Sequence, residues 1–114
     1  MDEAAFVALA SAELARIEDI LENGGLDLDL EVKADGVLEV GFDDGGKIVI
    51  NRHVAAREIW VAARSGGFHF HLENGIWVER RAGVELYALL SRLLSERAGK
   101  KIVLGAMLDH RVRR

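Results

Sequence analysis

The chain has 114 residues, half of them hydrophobic and 30% charged, which suits one globular domain and excludes a disordered chain. It has no cysteine, so disulfides, thiolate metal sites and cysteine nucleophiles are excluded, and a reducing compartment fits. The net charge of −4 conceals an asymmetry: residues 1–45 hold thirteen acids against two bases, a net −11, and residues 46–114 hold six acids against thirteen bases, a net +7.

Residues 4–22 read as a helix. Phe6, Leu9, Ala10, Leu14, Ile17 and Leu21 recur at three- and four-residue steps, an apolar stripe of helical period. Asn23-Gly24-Gly25 stops it. The period then drops to two. Leu28, Leu30 and Val32 alternate with Asp27, Asp29 and Glu31, which predicts a half-buried strand. Asp35-Gly36 reads as a hairpin turn into a second strand with Leu38, Val40 and Phe42 facing inward. Asp43-Asp44-Gly45-Gly46 turns the chain into a third strand over 47–51. A fourth is predicted over 58–63. Ser65-Gly66-Gly67 leads to a fifth, where Phe68, Phe70 and Leu72 alternate with His69 and His71. Asn74-Gly75, a strong hairpin signal, leads to a short sixth over 76–79. Residues 84–98 predict a second helix, with Leu86, Leu89, Leu90, Leu93 and Leu94 on one face and Gly99 at its end.

Short links between consecutive strands require antiparallel pairing. Strands that alternate apolar and polar bury one face only. The expected architecture is therefore an α+β fold, a two-layer α/β sandwich: an antiparallel sheet of about six strands over 27–79, with one face covered by the N- and C-terminal helices. One domain spans 1–114, with no repeat or low-complexity tract. Its tail over 100–114 carries Leu104, Met107 and Leu108, which a free tail has no reason to carry, and is expected to pack across the groove between the helices. Glu13 lies near the apolar stripe, where it can pair with a tail arginine.

An acidic ridge is the main functional signal. Glu18, Asp19 and Glu22 lie opposite the helix stripe, and Asp27, Asp29 and Glu31 share a face of the first strand. Such an oxygen surface suits hard cations and Fe²⁺, bound weakly and with little selectivity. It repels nucleic-acid phosphates and anionic membranes and attracts basic protein surfaces. The bland reading is a solvated face that keeps the protein soluble. Trp60 is the second signal: with Ile59 and Val61 toward the helices, it points onto the open sheet face, where an exposed tryptophan is a candidate interface anchor. A register that buries it is the alternative. His69 and His71 share a face and could hold a metal, though solvated histidines are commoner. His53 and His110 read as loop and tail residues without partners, and the basic stretches are too short for a nucleic-acid site. No G-x-S-x-G, H-E-x-x-H or P-loop is present, so the chain does not read as an enzyme.

The element order resembles the bacterial frataxin family, and so do specific residues. Asn51-Arg52 closes the third strand, Ile59-Trp60 opens the fourth, and Gly66-Gly67-Phe68-His69-Phe70 matches the family's glycine-glycine-aromatic-histidine-phenylalanine run. Trp77, Arg81-x-Gly83 and Leu89-Leu90 continue in register. The similarity runs from about residue 6 to residue 98. His53 and Ala55 depart from the family's usual glutamine and proline. Asn23-Gly24-Gly25 stands where bacterial members often have more acids, which implies weaker metal binding here. The tail beyond residue 104 is longer than the bacterial pattern.

The resemblance implies weak binding of iron (Fe²⁺/Fe³⁺), for which other divalent cations can substitute, at Glu18, Asp19, Glu22, Asp27, Asp29 and Glu31. It implies a role as regulator or iron supplier in iron–sulfur cluster assembly. The implied partners are a cysteine desulfurase, met by Glu18, Asp19 and Glu22, and the iron–sulfur scaffold protein, met by the sheet around Asn51 and Trp60. A chain that is monomeric without iron and does not bind nucleic acid or membrane fits this. So does a bacterial cytoplasmic location, since the start Met1-Asp2-Glu3 is acidic where export and transit signals are basic; a processed mitochondrial form is the less favoured alternative. Two rival readings are a pure acidic interaction module and a weak ferroxidase, which would need inward-projecting ligands on rigid elements.

Overall fold

The structure is a computed structural model and describes residues 1–104. Helix α1 (Glu3–Glu22) is followed by strands β1 (Asp29–Lys33), β2 (Val37–Gly41), β3 (Lys47–His53), β4 (Glu58–Ala63), β5 (Gly66–Glu73) and β6 (Ile76–Glu79), and by helix α2 (Leu86–Ala98). The six strands form one antiparallel sheet in the order β1-β2-β3-β4-β5-β6. The expected α+β sandwich is what is found. Both glycine hairpins take the conformation their sequences ask for. Asp35 and Gly36 have φ of 64° and 74°, and Asn74 and Gly75 have 52° and 81°, the left-handed pair that a two-residue hairpin turn needs.

Helix α1 starts one residue earlier than the pattern suggested, because the Asp2 carboxylate accepts from the Ala5 amide at 2.8 Å and caps it. Helix α2 starts two residues later than expected. Val84 and Glu85 are taken by the sheet edge: the Glu79 amide donates to the Val84 carbonyl at 2.9 Å, and Glu85 bridges to Val78. Glu85 then caps the helix, accepting from the amides of Tyr87 and Ala88 at 2.9 and 3.2 Å. Gly99 ends α2 in the left-handed conformation at φ 70°.

The core lies between the helices and one sheet face. Phe6, Ala10, Leu14, Ile17, Ile20 and Leu21 from α1 and Leu86, Tyr87, Leu89, Leu90, Leu93 and Leu94 from α2 are buried against Leu38, Val40, Ile48, Ile50, Ile59, Val61, Phe70 and Trp77. Phe6 meets Trp77 edge to face at 6.1 Å between centroids. Leu9, expected in the stripe, is 47% exposed, and Ile20 is buried in its stead. Val32 is 61% exposed, since β1 is an edge strand.

The first residues after α2 return along the helix. The Ile102 amide donates to Ser95 Oγ at 2.8 Å, the Leu104 amide donates to Ser91 Oγ at 2.8 Å, and the Leu104 side chain is fully buried. Met107, Leu108 and His110 lie outside the described residues, as do the tail arginines proposed as partners of Glu13. Within the described residues Glu13 has other partners: its carboxylate accepts from the Tyr87 hydroxyl, joining the two helices, and sits 3.5 Å from Arg16. Burial and this acceptor push the Tyr87 hydroxyl's pKa well above the usual tyrosine value.

Candidate functional site

Helix α1 places Glu18, Asp19 and Glu22 in its last two turns. Glu22 is exposed, while Glu18 and Asp19 are half-buried. The last turn holds no base, so three carboxylates sit at the negative end of the helix dipole, where acids are unfavourable. Asp19 also belongs to the helix stop: its side-chain oxygen accepts from Asn23 Nδ2 at 2.9 Å, and its carbonyl accepts from the Asn23 amide at 3.1 Å. Among the described residues, Glu18, Glu22, Asp27, Asp29 and Glu31 form no ion pair.

The strand register separates five of the six acids into two sets. Leu30 and Val32 lie opposite Val40 and Leu38, which are buried beneath the helices. Asp29 and Glu31, opposite Gly41 and Glu39, therefore face the other side of the sheet. Glu18, Asp19 and Glu22 project from the helix layer, so the two sets straddle the β1 edge. Among the described residues no three Asp, Glu or His side chains come together to hold a metal ion. The arrangement offers separate open carboxylates, with Asp27 exposed just before β1.

Next to this edge the charges are compensated. Glu39 lies between Lys33 at 3.0 Å and Lys47 at 3.2 Å. The Lys33 and Lys47 hydrogen bonds hold the Glu39 carboxyl below the usual range, and Glu39, with Glu31 beyond it, raises the Lys33 ammonium.

The outer face of β3–β5 carries Trp60. As expected it points away from the helices: Ile59 and Val61 are buried, and Trp60 is half-exposed. Asn51 lies directly opposite it on β3 and His69 on β5. The indole is stacked on both sides. His53 lies over one face at 3.8 Å between centroids and 8° between planes, and His69 over the other at 4.2 Å and 10°. The indole Nε1–H donates to Glu58 Oε1 at 2.9 Å. Glu58 also faces His69 Nδ1 at 3.9 Å and Arg80 Nε at 3.8 Å.

His53, read as a loop residue without a partner, is thus the last residue of β3. Its Nδ1 accepts from the Ala56 amide at 3.3 Å. His69 and His71 do share the outer face, but they do not work as a pair. His69 joins the stack and His71 binds Glu73 at 3.0 Å. His53 reaches Trp60 through cross-strand register, which local sequence does not carry; the pairing of Asn51 with Trp60 is the register that brings His53 diagonal to the indole. Glu58 reaches the indole along β4, from two residues before it.

A cleft of about 420 Å³ lies elsewhere, between the end of α2 and β3–β4. Its floor is Phe42, Ile48, Ala63 and Leu93. Arg97, which also lines it, pairs with Asp44 and lies over the Phe42 ring at 4.6 Å, and Arg64, Ser65 and Glu96 line it too. No helix among the described residues is long and apolar enough to cross a membrane.

A family model described as the Frataxin-like domain matches residues 1–100. The chain belongs to the frataxin-like family. The iron–sulfur cluster assembly protein CyaY of Dechloromonas aromatica is 51% identical over 104 residues, covering 91% of this chain and 99% of that one. The CyaY protein of Ralstonia nicotianae is 46% identical over 109 residues, covering 93% and 96%. Among solved structures, frataxin from Psychromonas ingrahamii superposes with a TM-score of 0.84 at 27% identity, over 91% of this chain and 98% of that one. Trimeric yeast frataxin, complexed with ferrous iron, superposes with a TM-score of 0.71 at 31% identity, over 81% and 87%. The frataxin sandwich accounts for the placement of the acids about the β1 edge and of Trp60 on the sheet face opposite the helices.

Proposed function

We propose that this frataxin-like chain binds iron weakly along the acidic ridge and serves iron–sulfur cluster assembly, meeting a cysteine desulfurase through Glu18, Asp19 and Glu22 and the scaffold protein through Asn51 and Trp60. The observation that carries the reading is the end of α1: Glu18, Asp19 and Glu22 within its last two turns, against the helix dipole, with no base in the last turn. Such a surface costs stability and draws cations or a basic partner. Single open carboxylates hold Fe²⁺ loosely and release it readily, which suits an ion in transit more than a resident cofactor.

Paramagnetic titration tests the metal half. Fe²⁺ or Mn²⁺ should broaden amide signals at residues 18–22 and 27–31 first; broadening centred on His69 and His71 overturns the assignment. Sulfur release by a purified cysteine desulfurase, with and without this chain and Fe²⁺, tests the partner half. A second reading is favoured by the separation of the acids across the β1 edge: an interaction module whose carboxylates serve only to bind a basic groove. It predicts the same effect on the desulfurase with and without Fe²⁺. Both readings are non-catalytic.

A further inference from the structure

Side chains on one face of a sheet stand up from it on strands about 4.8 Å apart, near the distance at which flat rings stack. The outer face of β3, β4 and β5 uses that coincidence. His69 is directly opposite Trp60 and His53 is diagonal to it, and the three rings lie nearly parallel at 3.8 and 4.2 Å. The axis of the stack crosses three strands along the sheet surface, so the rings meet solvent with their edges. Both faces of the indole are covered and its N–H is occupied by Glu58. His53 Nδ1 accepts from the Ala56 amide at 3.3 Å, which puts a ring hydrogen on Nε2. Aromatic edges carry the positive part of the ring quadrupole. Arg80 stands beside them and is half of the pair with Glu58. The face therefore offers C–H edges, N–H edges and a guanidinium, and its carboxylate, 14% exposed, accepts from the indole N–H and lies within 4 Å of His69 and Arg80.

We infer that His53, Trp60 and His69 form one preassembled docking ridge, an imidazole–indole–imidazole stack presented edge-on, that fits an acceptor-rich protein surface of backbone carbonyls and carboxylates. The inference rests on the reading that Trp60 meets the scaffold protein, and it adds the residues that make Trp60 an anchor. His53 and His69 are positioning residues that hold the indole in one rotamer, and Glu58 fixes its rotation through the N–H. An anchor already ordered before contact loses less conformational freedom on binding.

The test is binding of the full chain to purified scaffold protein by calorimetry, together with ¹⁵N relaxation of the Trp60 indole N–H in the free chain. His53→Ala and His69→Ala should each loosen the indole and weaken binding by roughly three- to tenfold, with melting temperatures near the parent's. His53→Phe and His69→Phe keep the stack and its positive edges, and should restore both indole order and most of the affinity. If Trp60→Ala abolishes binding while both alanine variants bind as the parent does, the stack is idle and the inference fails alone. Phenylalanine variants as weak as the alanine ones also overturn it, because the imidazole nitrogens and not the stack would then be recognised. If Trp60→Ala binds as the parent does, or the parent does not bind, the scaffold reading fails as well.

Discussion

The two candidate surfaces of this molecule treat charge in opposite ways. Beside Trp60 the Glu58 carboxylate accepts from the indole N–H and faces an imidazole and a guanidinium. At the end of α1 and along β1, Glu18, Glu22, Asp29 and Glu31 form no ion pair among the described residues, and Glu31 stands directly across from Glu39. A compensated surface recognises by shape and by the placement of a few groups. An uncompensated one recognises by field, at longer range and with less geometry.

The largest effect expected from this contrast is on the ridge. Reversing Glu18, Asp19 and Glu22 to lysine together should abolish desulfurase binding in a pull-down or titration. Binding by the parent should fall steeply between low and high salt, since exposed charges are screened within ~8 Å at physiological ionic strength. Scaffold binding through Trp60 should change little with salt. Equal salt dependence at both surfaces would erase the distinction between them.

A second comparison sits within α1. Glu13 and Glu18 are the same residue type on the same helix, yet only Glu13 is met by a partner helix. Removing the hydroxyl with Tyr87→Phe strands a carboxylate that is 12% exposed and should cost about 1–3 kcal/mol, a fall of several degrees in melting temperature. The same bond has a pH signature. The Tyr87 pKa is raised in the folded chain, so its contribution is complete below the unfolded value near 10 and is lost as pH rises above it. The parent should lose stability in alkaline melts, and the Tyr87→Phe chain should lose less.

Glu18 should answer in the opposite direction. The double variant Glu18→Gln, Glu22→Gln removes an i,i+4 repulsion and an unfavourable dipole contact, each a few tenths of a kcal/mol, and should melt slightly higher than the parent. It should also lose part of the extra stabilisation that Fe²⁺ gives at fixed ionic strength. Asp19 is left in place because it holds Asn23. A double variant less stable than the parent would show that these carboxylates make structural contacts, and the case for a functional ridge would weaken.

The smallest effect is at the acid end of the pH range. The folded-state pKa values of Glu39 and Asp44 are lowered, Glu39 by hydrogen bonds from Lys33 and Lys47 and Asp44 first by the Gly46 amide and then by Arg97. Their contribution is present above the unfolded values near 4 and is lost as pH falls through the lower folded values. Glu39→Gln should flatten that limb of a pH-dependent melt.

Most of the fold was legible because its signals are local. The two-residue alternation from Leu28 to Val32 and the Asp35-Gly36 and Asn74-Gly75 turns depend on neighbours only, and so does the leucine face of α2. Errors arose where a distant element decides. Leu9 and Ile20 both lie at the margin of the α1 stripe, and which of them is buried depends on how the helix rolls on the sheet. Val84 and Glu85 have helical surroundings in sequence but are claimed by the edge of β6. The site was less legible for the same reason. Acid content and the exposure of Trp60 follow from composition and alternation. The split of the ridge across β1, the His53–Trp60–His69 stack and the Glu13–Tyr87 bond depend on register and packing between residues far apart in the chain.

The strict strand order β1-β2-β3-β4-β5-β6 also has a consequence for synthesis. Each strand pairs with the one made just before it, so the sheet can assemble hairpin by hairpin as the chain leaves the ribosome, at the ~5–20 residues per second of translation. Its cover is completed last: α2 and the buried Leu104 come from the final part of the chain. Until then the face carrying Ile48, Ile50, Ile59 and Phe70 is only half roofed, by α1. The nascent chain therefore has an interval in which an apolar sheet face is open, and this is where slowed translation or a limiting chaperone would first divert the protein to aggregates.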